Sequence, residues 1–134
     1  MIRTALVILS LLCASFATVA IAQDKRIALS FDDVPRGEGA YFTSDERTQL
    51  IIDGLREAGV EQAAFFLNPG RIAERQGAQE RIAAYVAAGH VIANHTNTHP
   101  RLSATSIEEY LADLDAASDW LKARVLGETE EPNE

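Results

Sequence analysis

The chain has 134 residues, a formal net charge of −8 and a hydrophobic fraction of 47%. That length accommodates one domain at most, and the hydrophobic fraction excludes wholesale disorder. The excess of acidic groups excludes a general nucleic-acid-binding surface, because it would repel phosphates instead of attracting them.

Residues 1–22 are typical of a secretory signal peptide. They carry a single charge, Arg3, before an apolar run that leads to an A-x-A sequence at 20–22. We therefore expect cleavage before Gln23 and export to the periplasm or the extracellular space, with no stable membrane insertion afterwards. The alternative is an uncleaved membrane anchor, since Thr4–Ala22 is just long enough to span a bilayer. Cleavage would also remove the single cysteine, Cys13, so the mature chain would form no disulfide.

Three short apolar segments predict buried β-strands. They are Arg26–Phe31, Ala63–Leu67 and Val91–Asn94. Polar or turn-forming residues follow each segment, so all three predicted strands end at a loop.

Helical spacing of apolar residues predicts one helix after each strand. The first helix begins at a capping box of Thr43 and Glu46 and stops at Gly59. The second covers Arg71–Ala88, and Gly77 is a candidate break within it.

The third predicted helix begins at a second capping box, Ser106 with Glu109, and ends near Gly127. Its apolar side chains share one face. They are Ile107, Tyr110, Leu111, Leu114, Leu121 and Val125. Residues 128–134 form an acidic tail that we expect to lie outside the domain.

The order β-α-β-α-β-α predicts an α/β fold of parallel β/α units with right-handed crossovers. Three strands make a thin parallel sheet whose outer edges would be bare, whereas parallel sheets are normally covered. We therefore expect the sheet to pair with another element or to continue in a larger fold.

Chemically active side chains follow the first and third predicted strands. Asp32 and Asp33 come after the first, and His95 and His99 after the third. The carboxyl ends of parallel strands carry the ligand sites of α/β folds, so these residues fall where a site is expected. Because successive strand residues point to opposite sides, the two aspartates cannot do the same job unless the backbone turns.

The pattern His95-Thr96-Asn97-Thr98-His99 would bring two imidazoles to one face of a helical turn, where they can bind one ion. With one carboxylate they form a three-ligand site that leaves a position open for water or substrate, as in catalytic zinc sites. A second carboxylate nearby can act as a general base. The alternative is that these residues only cap or form turns, and spacing alone does not decide between the two.

The third histidine, His90, comes at the start of the third strand, at the other end of the sheet, and we interpret it as structural. Asn94 and Asn97 are interpreted as turn or supporting residues. Arg36 lies in the loop after the aspartates, which is either a substrate groove or a mobile surface loop.

Two motifs of the chain resemble those of the polysaccharide deacetylases, the NodB-homology carbohydrate esterases. The segment SFDDVP at 30–35 is similar to their first motif, usually TFDDGP, and HTNTH at 95–99 is similar to their second. Further similarity lies in the segments AFF at 64–66 and GHVIANH at 89–95, and the whole resemblance spans about residues 25–120. It implies a partial NodB-homology domain over residues 23–127, the N-terminal part of a distorted (β/α) barrel.

The resemblance also implies the roles of the site residues. Asp32 would be the catalytic base, while Asp33, His95 and His99 would hold a divalent metal, usually zinc. The family removes N-acetyl groups from chitin-like or peptidoglycan glycans, or O-acetyl groups from xylan. An acetylated polysaccharide is therefore the expected partner.

Departures from the family pattern concern the rest of the site. Val34 replaces the usual glycine, and the sequence contains neither the Arg- and Pro-containing third motif nor the later Leu-x-x-His. We therefore expect the N-terminal part of a deacetylase that is weakly active alone. Two alternatives stay open: an exported non-catalytic module that binds a metal or a glycan, and a hydrolase of other non-peptide C–N bonds.

Overall fold

The computed structural model describes residues 26–127 of the chain, in which three strands alternate with three α-helices. The strands are β1 (Ser30–Val34), β2 (Ala64–Leu67) and β3 (Val91–Asn94). The α-helices are α1 (Ser44–Glu57), α2 (Ala78–Ala87) and α3 (Ile107–Leu121). Short 3₁₀ turns lie at Pro69–Arg71 and Leu102–Ala104, and a π-helical turn, Lys122–Leu126, follows α3. The predicted signal peptide (1–22) and acidic tail (128–134) lie outside the described residues.

The strands form one parallel sheet in the order β1-β2-β3. Ala64 of β2 pairs with Ser30 on one side and with Val91 on the other. All three strands therefore end at the same edge of the sheet, and the predicted α/β fold of parallel β/α units is confirmed. Among residues 26–127, no helix combines the length and apolarity that crossing a bilayer requires.

The predicted bounds of the first strand are wrong. β1 begins at Ser30, four residues after the predicted start, and it includes Asp32 and Asp33. Pairing explains the difference, because the first residue pair between β1 and β2 is Ser30 with Ala64. Before that pair, the carbonyl of Leu29 accepts from the N–H of Ala64 at 3.0 Å. Ile27 is consequently 85% exposed. The two aspartates lie where the register shifts, between the paired residues Phe31 and Val34.

The first half of the second predicted helix is also wrong. Gly77 adopts a left-handed conformation with φ of 71° and lies immediately before α2, so the α-helix begins at Ala78. A Cβ added at Gly77 would lie 2.9 Å from Nη1 of Arg81, so the Arg81 side chain would have to shift to make room for it. The candidate break at Gly77 is confirmed: the residues before it form turns, and α2 follows it.

The core lies between the sheet and the helices that cover it. Phe65 at the centre of β2 has no exposed surface, and its ring stacks on Phe31 at 4.9 Å and on Tyr85 of α2 at 4.0 Å. The other fully or nearly buried apolar residues surround this stack. They are Val34, Leu55, Ala63, Leu67, Ile72, Ala78, Ile82 and Leu121. This packing fixes the strand ends that carry the site.

Both predicted capping boxes are present, at Thr43 with Glu46 and at Ser106 with Glu109. The apolar side of α3, however, is fully covered only in the second half of the helix, where Ala117 and Leu121 are buried. At the start of α3 the same face is open to solvent: Ile107 is 69% exposed and Leu111 is 51% exposed. The spacing of apolar residues therefore predicted the apolar face of α3, but it did not predict how much of that face is buried.

Candidate metal centre

Three side chains meet at the carboxyl edge of the sheet. Oδ1 of Asp33 lies 3.8 Å from Nε2 of His95 and 3.7 Å from Nε2 of His99. One potential ligand atom from each of the three residues lies within 4.8 Å of the other two. Asp33 and His95 are partly buried and His99 is exposed, so the group opens to solvent on one side.

Strained backbone surrounds this group. Asp33, Thr96 and His99 have positive φ angles of 60°, 64° and 63°, which non-glycine residues rarely adopt. The register of β1 against β2 also shifts between Phe31 and Val34, around Asp33. Left-handed conformations persist when surrounding contacts enforce them, and they cluster at functional sites.

The two histidines do not lie on a helical turn, so that expectation is wrong. Residues 95–99 form an irregular loop after β3, hereafter the histidine loop. The left-handed residues Thr96 and His99 turn the chain back on itself, and the two imidazole rings end 4.8 Å apart. Backbone reversal, not helical periodicity, brings the rings together.

Side chains from two other elements support the histidine loop. The amide of Asn68, at the end of β2 and only 3% exposed, donates to the carbonyls of His95 at 2.5 Å and Thr96 at 3.0 Å. From α3, the carboxylate of Asp113 accepts from the backbone N–H of Asn97 at 2.7 Å. It also accepts from the N–H of Thr98 at 3.0 Å and from the Thr98 hydroxyl at 2.7 Å.

The same contacts set the ionisation of Asp113. Burial raises the pKa of this carboxyl, but the hydrogen bonds from Thr98 and Asn97 outweigh burial and hold the pKa below its ordinary value. Asp113 is therefore an anion throughout the neutral range. The sequence did not indicate that Asp113 or Asn68 supports the histidine loop. For Asp113, the one local indication is its position next to Leu114, at the border of the apolar face of α3.

The donor set fits a divalent metal. Two imidazole nitrogens and one carboxylate oxygen are ligands that zinc accepts, at distances of roughly 2.0–2.2 Å. Ligand atoms at those distances around a tetrahedral centre lie roughly 3.4 Å from each other. The separations of Asp33 from the two histidines, 3.7 and 3.8 Å, are slightly wider, and all three ligand atoms lie within 4.8 Å of one another, so the side chains would have to move inward around a metal.

Asp32 does not belong to the three-residue group. Its side chain is exposed and lines a separate cavity of about 160 Å³ together with Arg36, Arg47 and Tyr85. The backbone between the two aspartates is not regular strand, because Asp33 is left-handed and the register against β2 shifts there. Arg36 thus lines a cavity beside Asp32, and whether its loop is a substrate groove stays a prediction.

A basic side chain also contacts the loop that follows β1. Arg75 donates to the carbonyl of Pro35. Burial lowers the pKa of the Arg75 guanidinium, repulsion by Arg71 and Arg36 lowers it further, and Asp33 partly offsets both. Arginine side chains therefore place positive charge near Asp33 at this end of the sheet, although the net charge of the chain is −8.

His90 lies at the opposite end of the sheet, as predicted. It is only 8% exposed, and its ring lies 5.3 Å from that of Phe65. Neither of its nitrogens has a hydrogen-bond partner among the described residues. It takes no part in the candidate metal centre.

The protein is of the α/β class, built from parallel β/α units. It carries a candidate metal centre of one aspartate and two histidines at the carboxyl edge of the sheet. The family model for polysaccharide deacetylase matches residues 20–131. The chain therefore belongs to the polysaccharide deacetylase family, and the resemblance noted in the sequence is confirmed.

Individual relatives agree with this assignment. A chitooligosaccharide deacetylase of Rhizobium leguminosarum bv. trifolii is 37% identical over 87 residues, which is 65% of this chain and 35% of the relative. The structure of peptidoglycan deacetylase PdaC from Bacillus subtilis is 27% identical with a TM-score of 0.58, over 75% of this chain and 44% of that one. A family 4 carbohydrate esterase from Bacillus anthracis is 26% identical with a TM-score of 0.56, over 77% and 44%.

The chain spans about a third of the curated relative and under half of each of these structures. The shared part contains the parallel units of the NodB-type (β/α) barrel.

Proposed function

We propose that this chain takes part in the metal-dependent removal of acetyl groups from an N-acetylated, or O-acetylated, polysaccharide. The observation that carries the proposal is the meeting of Asp33, His95 and His99 at one edge of the sheet. Membership of the deacetylase family gives the reaction class, and relatives described as chitooligosaccharide and peptidoglycan deacetylases suggest the kind of glycan.

In the proposed site, Asp33, His95 and His99 hold a divalent metal, most simply zinc because the donors are two nitrogens and one oxygen. When bound, such a metal supplies polarisation of the acetyl carbonyl and a lowered pKa for nearby water. Asp32 serves as the general base and accepts the proton of the water that attacks the acetyl carbon. The C–N or C–O bond then breaks, the proton on Asp32 passes to the leaving amine or alcohol, and acetic acid departs and ionises to acetate in water.

We also propose that the protein is exported to the periplasm or the extracellular space. The support is the signal-peptide pattern of residues 1–22 and a polymeric substrate that lies outside the cytoplasm. Expression of the full chain in a bacterium, followed by N-terminal analysis of the periplasmic fraction, tests this. A mature terminus at Gln23 is expected, and the uncut chain in the membrane fraction would contradict it.

Two substitutions separate the role of Asp32 from that of the ligands. Asp32→Asn should lower acetate release roughly 100- to 10,000-fold and leave bound zinc unchanged, because it removes only the base. His95→Ala should lose both zinc and activity. Acetate release from chitooligosaccharide, peptidoglycan and acetylxylan is measured together with metal content, and Asp115→Asn, an exposed aspartate of α3, is the matched control.

Each result points to one conclusion. Full activity of Asp32→Asn would show that the base assignment is wrong, and unchanged zinc in His95→Ala would show that the ligand assignment is wrong. Zinc bound by the wild-type chain without acetate release from any of the three glycans would favour the non-catalytic binding module.

A further inference from the structure

The histidine loop depends on contacts outside itself for its shape. Residues 95–99 belong to no helix or strand, and two of them are left-handed. A left-handed conformation is unfavourable for a non-glycine residue, so the loop would relax if it were free. Something in the fold must therefore hold it.

Asp113 contributes the densest of these contacts. Its two carboxylate oxygens take up the N–H groups of Asn97 and Thr98 and the Thr98 hydroxyl, at 2.7–3.2 Å. Thr98 directly precedes His99, so the carboxylate fixes the backbone one residue from that imidazole. Hydrogen bonds in which one partner is charged are stronger than neutral ones.

The helix that carries Asp113 is itself anchored. Ala117 and Leu121, one and two turns further along α3, are buried against the core. The amide of Asn94, the last residue of β3, donates to the carbonyl of Leu114 at 2.9 Å and to the Ser118 hydroxyl at 2.8 Å. Asp113 therefore connects a fixed helix to the loop that carries both histidines.

We propose that Asp113 is a positioning residue of the metal centre, whose carboxylate sets the conformation of the histidine loop and hence the distance of His99 from Asp33 and His95. The proposal rests on the proposed function, since it assumes that these three residues bind a metal. Asp113 itself contacts none of the three. It acts through Asn97 and Thr98.

Asp113→Asn tests this with almost no change in volume. It replaces one of the two acceptor oxygens by an NH₂ group and removes the negative charge, so the hydrogen bonds from Asn97 and Thr98 can no longer all form at full strength. We expect the affinity of the full chain for Zn²⁺ to fall roughly 10- to 100-fold, the range typical for residues that orient metal ligands. The visible spectrum of bound Co²⁺, which reports ligand geometry, should change as well.

A second measurement needs no metal. In the metal-free chain, the backbone amide of Thr98 should exchange with solvent faster in Asp113→Asn than in the wild type, because its charged acceptor is lost. The amide of Asn97 should respond less, because it also donates to the backbone carbonyl of Asp113 at 3.2 Å, which the substitution keeps. Thr98→Val keeps the volume of the side chain and removes only the hydroxyl that donates to Asp113. It should therefore lower the metal affinity less than Asp113→Asn does. Asp115→Asn, two residues along the same helix and exposed, is the control and should resemble the wild type.

The outcomes separate this inference from the function on which it rests. If the wild type binds Zn²⁺ and Asp113→Asn binds it equally well with the same Co²⁺ spectrum, the positioning role is wrong and the metal site stands. If the wild type binds neither ion, both proposals fail. Should Asp113→Asn not fold, Thr98→Val decides, since unchanged affinity and spectrum in that variant would count against the inference.

Discussion

Phe65 and Leu67 of β2 are the largest fully buried side chains among the described residues. Phe65 lies between the rings of Phe31 and Tyr85 and so joins β1, β2 and α2. Aromatic pairs in such contact add stabilisation beyond the area they bury. A single side chain thereby fixes the relation of the strand that carries Asp33 to the rest of the sheet.

Phe65→Ala should therefore lower the free energy of unfolding by about 3–5 kcal/mol, because it leaves a cavity between two rings. Urea unfolding followed by circular dichroism measures this. Phe42→Ala is the matched control at a position that is 47% exposed, and it should cost about 0.5 kcal/mol or less.

Should Phe65→Ala prove too unstable to purify, Phe65→Leu keeps most of the apolar volume and should still fold with a smaller loss. Equal effects of the Phe65 and Phe42 substitutions would show that the ring stack does not organise the core.

Among the helices, α2 begins directly after a glycine, Gly77, whose φ is 71°. Arg81 lies next to this glycine. Its guanidinium donates to the carbonyl of Gln76 and pairs with Asp45, each at 2.9 Å. The left-handed backbone would strain any residue with a Cβ at this position, and the Arg81 guanidinium would have to move aside for it. Gly54, inside α1, has nothing within 4 Å of the place where a Cβ would stand.

The two glycines should respond to alanine in opposite directions. Gly77→Ala should lower the free energy of unfolding by about 1–2 kcal/mol through left-handed strain. Gly54→Ala should raise it by up to about 1 kcal/mol, because alanine is the better helix former. Both are measured by urea unfolding, and a stabilised Gly77→Ala would mean that α2 can begin before Ala78.

Open sheet edges and an open helix face characterise the described part as a whole. β1 and β3 each pair with one neighbour, so each has one free edge. Ile107 and Leu111 lie four residues apart on α3, on one exposed apolar face. Free strand edges and apolar patches are sites at which protein molecules associate.

We expect the purified chain to self-associate with rising concentration and the double variant Ile107→Glu, Leu111→Lys to do so less. Sedimentation velocity measures the association, and the thermal midpoint should change little because both positions are exposed. The control is Ala116→Glu with Ala112→Lys, which places the same charges at exposed alanines of the same helix. Equal association of the two variants would show that this face is not involved.

The sequence by itself determined the alternation of strands and helices and two helix starts. Those features are local: apolar spacing, the capping boxes at Thr43 and Ser106, and the break at Gly77 act within a few residues of the chain. The two motifs likewise identified the family, because each motif is a short run of residues. The assignment of Asp32 as the base stays a prediction.

Only the tertiary structure decided how the candidate site is assembled. Pairing with β2 set the true start of β1, and backbone reversal in the histidine loop, not a helical turn, brought His95 to His99. Asn68 and Asp113 reach that loop from positions 27 and 15 residues away in the chain. Contacts across such separations depend on packing between elements, for which a single sequence carries no local signal.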